Sequence, residues 1–224
     1  MLHIFDIDKT ILNTSTVKDT LFSGIQRGVI PASILIYIPY YFILFGLTGV
    51  KEKHFSKPRR FLTGLSEKDL NSTASQLFKS KFRKTVFPEI EELIRGLQSK
   101  GEEVIIASAS FKFILKPLAE ELGINRIICT ELEFENGISS GRIKGLPAFK
   151  EAKHLRTQSY IKSIGAELSD CCFYTDSHRD LSLLYSVGTA VAVNPDKGLR
   201  KAAAKNGWKI IEVKKPGRIN TWQI

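Results

Sequence analysis

The sequence is poor in cysteine. Only Cys129, Cys171 and Cys172 occur among its 224 residues. The number is odd, two of the three are adjacent, and all lie in apolar runs, which excludes a disulfide framework and a zinc site. This usage instead predicts buried thiols in a reducing compartment. The first candidate catalytic residue is Asp6, which leaves no room for a cleavable signal peptide before it. We therefore expect a cytoplasmic protein.

Acidic residues are in deficit. The chain has 23 Asp and Glu against 33 Lys and Arg, a formal net charge of +10. This balance favours acidic partners such as phosphorylated metabolites, nucleic acid or anionic lipid surfaces. The basic residues concentrate at 51–60, 79–84 and 197–218. These segments lack the interleaved aromatic residues and the motifs of nucleic-acid-binding modules, so we expect no specific nucleic-acid partner.

One long run, VIPASILIYIPYYFILFGLTGV at 29–50, lacks charge altogether. It has the length of a membrane span, but Pro31, Pro39 and two glycines interrupt it. A single span would also separate Asp6 from residues late in the chain. Two alternatives remain: a buried helix of an inserted subdomain, or an in-plane or re-entrant hairpin. Because the next segment is basic, residues 29–60 are a candidate for peripheral contact at the inner face of a membrane.

Strand and helix patterns alternate from residue 85 onward. Amphipathic segments such as PEIEELIRGLQSKG alternate with short apolar segments such as EVIIAS, CCFYTDS and TAVAVNP. ENGISSGRI is typical of a hairpin, and residues 14–84 have a mixed helical pattern without a strand pair. Repeated strand–helix units predict an α/β fold with a parallel sheet flanked by helices.

Three predicted strands end in polar residues. HIFD ends at Asp6, VIIAS at Ser108 and FYTD at Asp176, and Asp8 follows in the turn after the first strand. Ligands gather at the carboxyl ends of parallel strands, so we expect these residues to share a site. Several carboxylates close together need a cation, and hard oxygen ligands in small number suit Mg²⁺.

These residues can assemble a phosphoryl-transfer site. Asp6 would attack phosphorus and form an aspartyl-phosphate. Asp8 would protonate the leaving oxygen and then activate water. Ser108 and backbone amides near Asp8 and Ala109 would hold the phosphate oxygens, and a lysine from a helix at about 149–164 would offset their charge.

Four segments, in order, resemble the motifs of the haloacid dehalogenase (HAD) superfamily. FDIDKTIL is similar to its first motif, VIIASAS to its second, AFKEAKHLR to its lysine motif and YTDSHRDLSLL to its acidic fourth motif. The nearest branch is subfamily IB, the phosphoserine-phosphatase-like one, and the resemblance covers nearly the whole chain. It implies a Rossmann-like core of residues 1–13 and 85–224, with a helical cap of residues 14–84 inserted after the first motif.

The resemblance also implies roles for single residues. It makes Asp6 the nucleophile and Asp8 the acid and base, and it registers Lys153 as the motif lysine with Lys150 as a near alternative. The implied phosphate contacts are Ser108, Ala109 and Lys153. The implied Mg²⁺ ligands are Asp6, the Asp8 carbonyl, Asp176 and Asp180, the last directly or through water. Thr10 would stabilise the first-motif loop, and Ser110 and Arg179 are candidates for contact with substrate or cap.

Several functions remain open at this level. The first is a Mg²⁺-dependent phosphomonoesterase acting on a small phosphorylated metabolite. The second is the same chemistry on a phospholipid head group, of the phosphatidylglycerophosphate or lysophosphatidate type, which the run at 29–50 and the positive charge favour. Arg179 stands where phosphoserine phosphatases tend to carry Asn, which counts against a specific phosphoserine assignment. A non-catalytic scaffold and a nucleic-acid end phosphatase are further alternatives.

Overall fold

The computed structural model describes residues 1–37 and 58–216 of the chain. The described strands are β1 (Leu2–Phe5), β2 (Thr63–Ser66), β3 (Glu103–Phe111), β4 (Arg126–Thr130), β5 (Leu132–Glu135), β6 (Ile138–Ile143), β7 (Cys171–Thr175), β8 (Thr189–Val193) and β9 (Lys209–Ile211). Six of them form a parallel sheet in the order β4-β3-β1-β7-β8-β9. The predicted α/β fold with a parallel sheet is therefore confirmed.

Helices cover both faces of this sheet. The α-helices are α1 (Thr16–Gln26), α2 (Glu67–Ser80), α3 (Pro88–Ser99), α4 (Lys112–Glu121), α5 (Glu151–Ser163), α6 (Leu181–Leu184) and α7 (Lys197–Asn206). Side chains of a strand alternate between faces, so Phe5 packs in one apolar cluster while Leu2 and Ile4 pack in the other. The three cysteines are buried free thiols, as predicted.

The register of the central strands places the predicted strand ends together. β1 lies between β3 and β7, and Phe5 is level with Ile106 on one side and Tyr174 on the other. The residues that follow these three positions therefore emerge at the same edge of the sheet. Asp6, Ser108 and Asp176 all lie within two residues of that level, as the sequence predicts.

A second, three-stranded sheet has the order β2-β6-β5 and is antiparallel. The hairpin predicted at ENGISSGRI corresponds to β5 and β6. Residues 14–84, for which no strand pair was predicted, contribute the single strand β2 (Thr63–Ser66), which pairs with β6 outside that segment. This strand is short, contains Gly64 at φ +83°, and pairs with Ile138 and Ser140, more than seventy residues later. A strand defined by so distant a partner has little local signal.

Part of the apolar run at 29–50 belongs to a third apolar cluster. Ile30 and Ile34 are buried there together with Leu62, Leu65, Leu70 and Leu132. This agrees with the buried-subdomain alternative for the start of the run. Its continuation from residue 38, and with it most of the predicted membrane-contact segment, lies outside the described residues. Among the helices that the structure describes, none combines the length and apolar character needed to cross a membrane.

Candidate active site

The side chain of Lys153 joins two aspartates in the interior. Its Nζ lies 3.1 Å from Oδ1 of Asp6, directly after β1, and 2.9 Å from Oδ2 of Asp180, in the 3₁₀ turn after β7. The three side chains are only 5%, 10% and 3% exposed, so this is a buried ionic network. Lys150 is exposed instead, with its Nζ 5.5 Å from the centroid of the Phe149 ring. The lysine that reaches the strand ends is therefore Lys153.

The backbone and a threonine fix this network. The amide of Asp6 donates to the Tyr174 carbonyl at 2.9 Å, which extends the pairing of β1 with β7 by one residue. The hydroxyl of Thr175 donates to Oδ2 of Asp180 at 2.8 Å, the same oxygen that Lys153 contacts. Asp180 is therefore held between a cation and a hydroxyl beneath the strand ends.

Asp8 is held by the first residue of α1. Its Oδ1 accepts hydrogen bonds from the Thr16 backbone amide at 2.9 Å and from the Thr16 hydroxyl at 2.7 Å. The Thr16 hydroxyl also lies 2.5 Å from the hydroxyl of Ser110, near the end of β3. The amide of Ser110 in turn donates to Oγ of Ser108 at 3.3 Å. A continuous chain of polar groups thus connects Asp8 with Ser108.

Burial and crowding raise the pKa of the carboxyl groups at this edge. Burial raises the pKa of Asp6 to about 7 although Lys153 opposes the rise, and the charges of Asp180 and Asp8 add to it. Burial, with the charges of Asp6 and Asp180, raises the pKa of Asp176 to about 8. Burial acts to lower the pKa of Lys153, but Asp180 and Asp6 raise it above its ordinary value. The site thus gathers more carboxylates than its one ammonium can balance.

The donor set fits a hard divalent cation. Within the described part of the chain, no three side chains of His, Cys, Asp or Glu are grouped as a metal site. In the expected Mg²⁺ set, Asp6 and Asp176 supply carboxylate oxygens, Asp8 supplies its backbone carbonyl, and Asp180 takes part directly or through water, while Mg²⁺ keeps several waters. Asp6 raises the pKa of Asp176 by charge repulsion, which a cation between them would relieve. The Asp180 carboxylate already has the lysine as its partner.

The other predicted residues lie around this centre. Ser108 and Ser110 are buried, each 2% exposed, whereas Ala109 between them is exposed. Arg179 is also exposed, and its backbone amide donates to the Ser177 hydroxyl at 3.3 Å. Thr10 is fully buried, and its amide donates to the Ile7 carbonyl at 3.2 Å within the first-motif turn.

Three threonines that organise the site were not predicted from the sequence. Thr16 and Thr175 bind the carboxylates of Asp8 and Asp180. Thr130, at the end of β4, donates to the Ala109 carbonyl at 2.8 Å and accepts from the Ala148 amide at 3.1 Å. Thr130 was predictable from its position, because RIICT also ends in a polar residue.

Comparisons with known proteins find a family and relatives that match most of the chain. Residues 4–185 match the family described as haloacid dehalogenase-like hydrolase. A probable phosphatase of Mycobacterium tuberculosis is 29% identical over 216 residues, which are 95% of this chain and 75% of that protein. A histidinol-phosphatase of Neisseria meningitidis is 29% identical over 223 residues, covering 95% of this chain and 99% of that protein.

Solved structures show the same fold. A protein of unknown function from Bordetella pertussis superposes with a TM-score of 0.78 at 25% identity, covering 94% of this chain and 97% of that one. A phosphoserine phosphatase in its apo form superposes with a TM-score of 0.63 at 20% identity, covering 96% of this chain and 94% of that one. Since the family match extends over most of the chain, the protein belongs to the haloacid dehalogenase-like hydrolase family.

Proposed function

We propose that this hydrolase is a Mg²⁺-dependent phosphomonoesterase that acts through an aspartyl-phosphate on Asp6. The observation that carries the proposal is the position of Asp6. It directly follows the central strand, with the Lys153 ammonium 3.1 Å from one carboxylate oxygen and Asp8 two residues away. A nucleophile, a cation and a second carboxylate for proton transfer thus converge at the edge where parallel sheets bind ligands.

The first half-reaction transfers the phosphoryl group to Asp6. A carboxylate oxygen of Asp6 forms a bond to phosphorus as the bond from phosphorus to the ester oxygen breaks. Asp8 gives its proton to that oxygen, so the alcohol leaves neutral. Burial raises the pKa of Asp8, which favours the protonated form that this step needs.

The second half-reaction restores the enzyme. Asp8, now ionised, takes a proton from water as the water oxygen bonds to phosphorus. The bond from phosphorus to Asp6 breaks, inorganic phosphate leaves, and Asp8 is again protonated. One carboxylate therefore serves as acid and then as base, and no proton is lost over the cycle.

The remaining predicted residues bind the phosphate and its charge. Ser108 accepts a hydrogen bond from the Ser110 amide, so its own hydroxyl proton remains available for a phosphate oxygen. Lys153 and the exposed backbone at Ala109 would supply further donors. Mg²⁺, held by Asp6, Asp176 and the Asp8 carbonyl, would supply positive charge for the phosphate oxygens.

A small phosphorylated metabolite is the substrate class best supported. The relative from Neisseria meningitidis is named for a small phosphate ester. The phospholipid head-group alternative, with peripheral membrane contact, is favoured by a different observation. Leu35 and Ile36, at the limit of the described cap, are 43% and 76% exposed, and the apolar run continues beyond them.

Phosphate release from a mixed panel tests the proposal. The panel should contain phosphoserine, histidinol phosphate, other small esters and phosphatidylglycerophosphate in micelles, each assayed with Mg²⁺ and with chelator. We expect Mg²⁺-dependent release that is abolished in Asp6→Asn but retained in Asp170→Asn, an exposed aspartate before the amino end of the same sheet. Release that survives Asp6→Asn would refute the covalent mechanism, and a micellar substrate preferred over all soluble ones would favour the lipid alternative.

A further inference from the structure

Hydrogen-bond direction along the chain from Asp8 to Ser108 is fixed by the chemistry of its members. The Thr16 backbone amide can only donate, so Oδ1 of Asp8 is an acceptor, and the Thr16 hydroxyl donates its single proton to that same oxygen. The Ser110 hydroxyl, 2.5 Å from Thr16 Oγ1, must then be the donor in that contact. The order is therefore Ser110 to Thr16 to Asp8.

Ser110 also donates in a second direction. Its backbone amide donates to Ser108 Oγ at 3.3 Å, while its hydroxyl points to Thr16. One buried residue thus contacts both the predicted phosphate-binding hydroxyl and the chain that leads to the proton-transferring carboxylate. The two contacts use different groups of Ser110, so a side-chain substitution removes one and leaves the other.

The chain also crosses between two parts of the fold. Thr16 begins α1 in the segment inserted after the first motif, whereas Ser110 belongs to β3 of the central sheet. Both Thr16 bonds reach the same oxygen of Asp8, Oδ1. The orientation of this carboxylate is consequently set by how α1 sits against the end of β3.

We infer that Ser110 and Thr16 are positioning residues that orient Asp8 for proton transfer to the leaving group. This rests on the proposed function, in which Asp8 donates its proton to the ester oxygen as the phosphorus–oxygen bond breaks. Holding Oδ1 assigns the exchange of the proton to the other oxygen, Oδ2. Ser110 and Thr16 touch neither phosphate nor the reacting atoms; they act through Asp8.

Leaving-group dependence separates this role from a structural one. An alkyl phosphate needs a proton on its departing oxygen, whereas 4-nitrophenyl phosphate releases a stabilised anion and depends little on general acid catalysis. The ratio kcat/KM includes only steps up to formation of the aspartyl-phosphate. It should be measured for both esters in the native protein, Ser110→Ala, Thr16→Val and Thr16→Ser.

We expect Ser110→Ala and Thr16→Val to lower kcat/KM for the alkyl ester about tenfold, the upper end of what one hydrogen bond contributes. The value for the aryl ester should stay near that of the native protein. Thr16→Ser should restore the alkyl activity. Thr14→Val is the matched control, since that hydroxyl lies two residues before Thr16 but donates to Asp19. Equal losses for both esters would overturn the inference.

Two further measurements test whether Ser110 and Thr16 act through Asp8. Inhibition by inorganic phosphate should be unchanged in Ser110→Ala, because the amide donated to Ser108 remains; weakened inhibition would place Ser110 in phosphate binding instead. A double-mutant cycle of Ser110→Ala and Thr16→Val on the urea midpoint needs no substrate, and we expect non-additive shifts. Additive shifts of the urea midpoint overturn the inference by themselves. If the shifts are non-additive but the protein releases no phosphate from any ester, the result counts against the proposed function and not against the contact between Ser110 and Thr16.

Discussion

Replacing Lys153 with methionine removes the one ammonium of the buried network while keeping a side chain of similar length. The Lys153 Nζ lies within 3.1 Å of Asp6 and 2.9 Å of Asp180, and all three side chains are at most 10% exposed. Breaking a buried ion pair from one side leaves uncompensated charge and costs about 3–5 kcal/mol. We expect Lys153→Met to lower the free energy of unfolding by about that amount at pH 7.5.

The loss of unfolding free energy in Lys153→Met should depend on pH. Without the ammonium, Asp6 loses the charge that opposes the rise of its pKa by burial, so this carboxylate is more easily neutralised by a proton as the pH falls. The difference between native protein and Lys153→Met should therefore shrink between pH 7.5 and pH 5. Urea denaturation at both pH values measures it. Lys153→Met combined with Asp180→Asn should regain part of the loss, because one of the two uncompensated charges is gone.

Lys150→Met is the control for this experiment. It removes the same charge three residues away, at an exposed side chain, so we expect a stability change within about 0.5 kcal/mol and retained phosphatase activity. The activity of Lys153→Met should be lost. If Lys153→Met is as stable as the native protein at pH 7.5, or if Lys150→Met is the inactive variant, the account of the ionic network is refuted.

Three further predictions use other features. Lys9→Gly should raise the free energy of unfolding by roughly 0.5–1 kcal/mol in urea denaturation, since Lys9 has φ +61° and glycine avoids that strain; a loss would contradict it. Gly96→Ala should add roughly 0.5–1 kcal/mol by the same assay, because α3 offers an added Cβ open space; destabilisation would contradict that. With chelator, the raised pKa values of Asp6 and Asp176 mean that the native state binds more protons than the unfolded one above about pH 4. Their contribution to stability is therefore full below about pH 4 and is lost progressively as the pH rises from about 4 to about 8, and Mg²⁺ should remove this dependence in unfolding measured from pH 4 to pH 8; an unchanged slope would argue against cation binding there.

Much of the fold follows from local pattern. Asp6, Ser108 and Asp176 each end an apolar run, and parallel pairing brings such ends to one edge whatever the connecting segments are. The strand β2 escaped prediction because its pairing partner in the described part of the chain, β6, lies more than seventy residues away. Local periodicity contains no information about such a partner.

The site shows the same division between local and distant information. The aspartates were predictable because two carboxylates beside a strand end are unfavourable unless a site needs them. Thr16 was not, because its role arises only when the start of α1 meets the end of β3. A threonine at a helix start has an ordinary local explanation, namely helix capping, so nothing in the sequence separates the two roles.

The energetics of this edge argue against the scaffold alternative. A buried ionic network seldom adds net stability, since apolar side chains of similar volume in its place are often neutral or stabilising. Asp6, Lys153 and Asp180 are buried together, and burial, with the charges of Asp6 and Asp180, raises the pKa of Asp176 to about 8. A protein that used this fold only for binding through its surface would gain stability by replacing them. Their presence at the one edge where a ligand can reach parallel strands is therefore explained by chemistry on a charged substrate, and not by the requirements of folding.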